Sequence, residues 1–134
     1  MPRVYLLHFT ALALSAVHHI DHVARGTHVG WPVTSELNTF TYTLLIYPII
    51  GLGFVVRSRA YWLAAATGGL ALLTGVHFGP VAAERTSDIV AGYSEPLLGY
   101  AALAVLIALV AILLAIVIAY ARGSRSLLEG RPVV

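Results

Sequence analysis

The segment His18-His19-Ile20-Asp21-His22 puts four titratable side chains into five residues of an otherwise apolar stretch. A neutral imidazole nitrogen is the commonest protein ligand for a metal. In a helix, residues three and four apart share a face, so His8, Ala11, Ser15, His18 and His22 form one stripe. His18 and His22 are one turn apart, a spacing at which both rings reach one ion. Asp21 stands three after His18 and four before Arg25, so it can orient a ligand imidazole, join a ligand set, or pair with Arg25. His19 is displaced around the helix. A second apolar stretch carries His77, with Gly75 and Gly79 leaving room beside it.

The candidate site is therefore His18, His22 and His77 as cofactor ligands, with Asp21 added if the cofactor is a metal. Two forms suit these residues. One is haem b between two helices, ligated by two histidines and serving electron transfer. The other is a Zn or Cu ion held by two or three histidines and a carboxylate. The chain has no cysteine, which excludes thiolate sites, disulfides and dithiol redox chemistry. It has no HExxH pair, Gly-rich phosphate loop or nucleophile elbow, so no motif names a reaction or decides whether the chain is an enzyme. Asn38, Thr41, Tyr42, Thr43 and Tyr47 make one further stretch fairly polar. They can hydrogen-bond the histidine face, line a small-molecule pocket, or satisfy one another.

These residues must be held by elements that live in lipid. Of 134 residues, 59% are hydrophobic and 10% charged, against roughly 45–50% and about 25% in soluble domains. One small core cannot hide that much apolar surface. An ordinary cytosolic enzyme, a disordered chain and a nucleic-acid binder are excluded. Crossing a bilayer takes about 20 mostly apolar helical residues. Four stretches qualify, at about residues 4–23, 37–56, 60–79 and 96–121. The sequence thus predicts an all-α integral membrane protein, a single domain over residues 1–134 with four antiparallel transmembrane helices.

The punctuation agrees with four spans. Gly26 and Gly30-Trp31-Pro32 follow the first, and Ser35 with Glu36 opens the second. Arg57-Ser58-Arg59 is short enough to make spans two and three a hairpin. Gly79-Pro80 closes the third, and Ser94-Glu95-Pro96 opens the fourth. A cleaved leader fits the first span loosely, through Arg3 and the small residues around Ala16, but His8 interrupts its apolar run, so the span is expected to be retained.

All eight basic residues are arginine. Arg3, Arg57, Arg59, Arg122, Arg125 and Arg131 fall on one side of such a bundle, and Arg25 and Arg85 on the other. The excess of positive charge puts both termini in the cytoplasm. The arginines read as topology signals and headgroup anchors. Spans one and three then run the same way, which brings His22 and His77 to one depth near the outer face, with His28, Glu84, Asp88 and Glu95 around them and His8 deeper inside. Trp31, Tyr61, Trp62, His19 and His28 are types that favour the membrane interface.

Helices meet in lipid through small residues. The fourth span offers a seam of Ala101, Ala104, Ala108, Ala111 and Ala115, leaving its larger aliphatics for lipid. The third offers Ala64, Gly68, Ala71, Gly75 and Gly79. Either stripe could also meet a second copy of the chain. Pro48 should bend the second helix. The function expected is binding of a cofactor or metal in the outer leaflet. The alternatives are a non-catalytic small subunit of a larger membrane complex, or a small oligomeric transporter that moves protons through its histidines.

Overall fold

A computed structural model describes residues 3–26, 36–80 and 82–122 of the chain. His28, Trp31, Ser35, Arg125 and Arg131 lie outside the described residues. The described residues form helices joined by turns, with no strand among them: α1 (Arg3–Arg25), α2 (Thr39–Thr43), α3 (Ile46–Val56), α4 (Arg59–Phe78), α5 (Thr86–Ala91) and α6 (Pro96–Ala121).

Helix α6 is the central post. It is the one helix among the described residues that is long and apolar enough, by length and composition, to cross a membrane. Pro96 opens it, where a missing N–H costs nothing. At its far end Arg59 Nε donates to the Tyr120 carbonyl at 2.8 Å and Arg59 Nη2 to that of Ala121 at 3.2 Å. These are carbonyls of the last turn, at the negative end of the helix dipole, where a cation is favourable. The same end of α6 meets the start of α1, since the Tyr120 hydroxyl donates to His8 Nε2 at 3.4 Å. At the opposite end Tyr93, just before α6, bonds Asp21 near the end of α1. Helix α6 is therefore antiparallel to both α1 and α4, which run in one direction.

The packing face of α6 differs from the expected alanine seam. Leu106, Leu109, Ile116, Ala119 and Tyr120 are buried, whereas Ala101, Ala104 and Ala111 are exposed. The small residues that permit close approach sit on the partner helices instead. Val4 and Ala11 of α1 and Ala66 of α4 join Leu109, Ile116 and Tyr120 in the core, so large side chains of α6 enter gaps left by small neighbours. On α4 the predicted stripe of Ala64, Gly68, Ala71 and Gly75 is exposed. Trp62 is buried rather than interfacial, with its ring against His8, Phe54 and the backbone of Gly53.

The second predicted span is interrupted. Leu44, Leu45 and Tyr47 donate to the carbonyls three residues back, at 3.1–3.2 Å, before regular spacing resumes with Ile49 to Leu45. Pro48 explains this: it has no N–H for the Leu44 carbonyl and its ring crowds that carbonyl, so the chain tightens over one turn. Arg57, at φ 51°, then turns the chain into α4, whose first turn is capped by Ser58 Oγ accepting from the Tyr61 N–H.

Helix α5 has no counterpart in the sequence reading, which left this segment as a loop. It starts where Asp88 Oδ2 accepts from the Arg85 N–H at 2.9 Å and packs on α6 at Gly99. A Cβ on Gly99 would lie 2.6 Å from the Val90 carbonyl oxygen and 2.8 Å from Val90 Cα. Polarity runs from inside to outside across the whole bundle. Asp21, Arg25, Glu84 and four histidines are buried, while Leu6, Ile20, Val55 and Leu97 are each 65% or more exposed.

Candidate metal centre

Three of the predicted site residues converge. His18 and His22 leave the inward stripe of α1, His77 leaves the last turn of α4, and all three are buried. One ring nitrogen from each lies within 4.8 Å of the other two. The closest pair is His18 Nε2 and His22 Nε2, 3.3 Å apart. In the metal-free protein a shared proton bridges such a pair. With both rings neutral and turned the same way, two lone pairs face one point.

The second half of the site is Glu84, which the sequence reading left among the outer-loop residues. It is fully buried. The Gly79-Pro80 turn folds the chain back under the end of α4, and the Glu84 N–H donates to the Val76 carbonyl at 3.1 Å. Gly79 is required for this return, because a Cβ there would stand 2.9 Å from the Gly75 carbonyl oxygen. The Glu84 backbone carbonyl then accepts from His77 Nδ1–H at 3.2 Å. That bond puts the His77 proton on Nδ1 and leaves the lone pair on Nε2, the usual outer support of a ligating histidine. Glu84 Oε2 lies 3.4 Å from His22 Nε2 and 3.2 Å from His77 Nδ1. It accepts no hydrogen bond from the described residues.

Arg25 holds this carboxylate in place. Its guanidinium forms a buried ion pair through Nη1 with Glu84 Oε1, and through Nε, at 2.9 Å, and Nη2 with Asp21 Oδ2. Tyr93 donates to Asp21 Oδ1 at 2.7 Å. Burial pushes the Glu84 carboxyl above its ordinary range, and the Arg25 guanidinium beside it pulls the other way. Two expectations change as a result. Arg25, read from the sequence as a headgroup anchor, is 2% exposed and lies in the site. Asp21 spends both oxygens on Arg25 and Tyr93, and so supports the histidines only through Arg25 and Glu84.

The other histidines have separate work. His19 joins α1 to the interrupted second span. The Thr43 hydroxyl gives its proton to the Phe40 carbonyl, so its oxygen accepts from His19 Nε2–H at 3.0 Å, and the Tyr47 hydroxyl donates to His19 Nδ1 at 2.8 Å. The polar residues of that span thus do meet a histidine, though not one on the stripe. His8 donates from Nδ1 to the Val4 carbonyl at 2.6 Å, far down the stripe from the cluster. Only the length of the return from Gly79 to Glu84 hinted at the buried carboxylate, since a short acidic loop beside a helix end can fold back on it. No protein-family model matches the chain, and no curated protein or solved structure matches it.

Proposed function

We propose that the chain is a four-span helical membrane protein that binds one divalent metal ion, zinc by preference, through His18, His22 and His77 near the outer face. The observation that carries this reading is the convergence of three buried imidazoles beside a fully buried carboxylate oxygen that accepts no hydrogen bond from the described residues. Zinc takes histidine nitrogens at about 2.0–2.1 Å, which sets the tetrahedral edge between two of them at about 3.3 Å. The His18–His22 pair already has that spacing. His77 lies no more than about 1.5 Å beyond it, within the reach of a small ring rotation. Charge points the same way. Asp21 and Glu84 against Arg25 leave one negative charge in a buried site, and burying an uncompensated charge costs several kcal/mol. A divalent cation among the imidazoles offsets that negative charge and leaves a net charge of plus one.

A metal ion suits the site better than haem. Three imidazoles gather within 4.8 Å of one another, whereas a haem needs two imidazoles on opposite faces of a wide plane. A porphyrin between His22 and His77 would displace His18 from its place against His22. The membrane reading rests on the length of α6 and on the exposed aliphatics around a polar interior. The direct test is metal analysis of detergent-purified protein after chelation and reloading. One zinc per chain is expected in the wild type and well under one in His22→Ala or His77→Ala. A folded wild type that takes up no zinc overturns the proposal.

A further inference from the structure

Helices α1 and α4 both lean on α6, and a cavity of about 100 Å³ remains between them. His18, His22 and His77 line one end of it, and His8 and Trp62 the other. Its walls are mainly leucine, isoleucine, valine and alanine, with Gly69 opening the middle. From His8 to His22, at 1.5 Å per helical residue, the lining runs about 21 Å. That volume is the space open to the centre of a water-sized sphere, so over that length its section is about 5 Å², and the sphere's own radius of about 1.4 Å on each side widens the slot to about one methylene chain. Glu84 is not among the lining residues, so it backs the histidines from the far side and leaves the cavity side of the cluster open.

We propose that this cavity binds a single-chain amphiphile, an unbranched fatty acid or acyl compound, with its carboxylate on the metal held by His18, His22 and His77. The inference rests on the metal-site reading for its head group and on the shape of the cavity for its tail. Three protein ligands leave a fourth position on zinc, as in sites that take up water or a substrate. Charge selects the head. A dication added to Arg25, Asp21 and Glu84 leaves one positive charge in excess, and one carboxylate neutralises it. The tail then replaces an empty apolar slot with dispersion contacts along its length.

Trp62, at the end away from the histidine cluster, reports the tail. In a Trp31→Phe background it is the only tryptophan of the chain. The probe is a long fatty acid brominated at its terminal methyl, titrated into zinc-loaded protein in detergent. Saturable quenching of Trp62 is expected, with none from the same acid brominated beside its carboxylate. Removing zinc should weaken binding on the order of tenfold or more, the value of one charge-assisted bond. Gly69→Leu should plug the slot and abolish quenching while zinc stoichiometry stays at one per chain. Normal zinc binding without saturable quenching overturns the cavity proposal and leaves the metal site standing. Quenching that persists in Gly69→Leu, or that brominated phosphatidylcholine reproduces, also overturns it, because the acid is then on the lipid-facing surface. Quenching intact in a wild type that binds no zinc overturns the head-group assignment and the metal site together.

Discussion

Arg25 and Glu84, 59 residues apart in the chain, face each other as a buried ion pair that ties the end of α1 to the turn after α4. The pair sets the depth at which His22 and His77 meet. Breaking a buried pair by removing one partner leaves the other charge uncompensated and costs about 3–5 kcal/mol. Arg25→Leu should therefore lower the unfolding midpoint strongly in detergent, and Arg25→Leu/Glu84→Gln should recover part of the loss. A double variant no better than the single one would mean that the two groups do not act as a pair.

Glu84→Gln keeps the backbone carbonyl that holds His77 Nδ1–H but removes the negative charge behind the rings. Loss of such a supporting carboxylate typically costs 10–100-fold in metal affinity. Competition with a chelator of known affinity should give a loss in that range at unchanged stoichiometry. Unchanged affinity would show that the carboxylate serves Arg25 alone. Asp21→Asn should cost less, since its link to the histidines runs through Arg25.

His19→Ala should leave zinc stoichiometry at one per chain while destabilising the fold by about 0.5–1.5 kcal/mol, the net value of a typical hydrogen bond, since the partners Tyr47 and Thr43 are half-buried. Metal analysis and a thermal melt separate the two effects. Zinc loss equal to that of His22→Ala would mean that the histidines act as one diffuse patch rather than as a ligand set.

The histidine triad was legible because helical spacing and the count of apolar stretches fix it. His18 and His22 share a stripe by geometry, and His77 reaches their depth by topology. Glu84 was not legible, because its burial depends on a turn at Gly79-Pro80 that returns the chain under α4, and loop direction carries no periodic signal. Arg25 was legible in part: its spacing of four from Asp21 offered that pair, but an arginine at a helix end looks the same whether or not a second carboxylate from another turn meets it. The face of α6 was misread because the small residues that matter are Ala11 and Ala66 on its neighbours. A small-residue stripe marks where close approach is possible, and the partner's shape decides which stripe is used.

Gly99→Ala tests the docking of α5, since its Cβ would stand within 2.6–2.8 Å of the Val90 backbone, which has no flexible end to move aside. Overpacking of this kind costs about 1–3 kcal/mol. The melting temperature should fall. Hydrogen exchange should speed up in residues 86–91 first, and an unchanged exchange pattern there would contradict the packing.

Pro48→Ala should restore a donor to the Leu44 carbonyl and join α2 and α3 into one regular helix. Amide exchange at residues 44–47 should slow, with insertion unaffected. Exchange as fast as in the native chain would show that the interruption has another cause.

X-ray absorption at the zinc edge, on reloaded protein in detergent, tests the central claim most directly. Three imidazole nitrogens and one lighter-atom ligand at about 2.0–2.1 Å are expected, with the imidazole signal reduced in His18→Ala, His22→Ala and His77→Ala alike. A zinc environment with fewer than two imidazoles, or one that is unchanged in all three variants, would contradict the account.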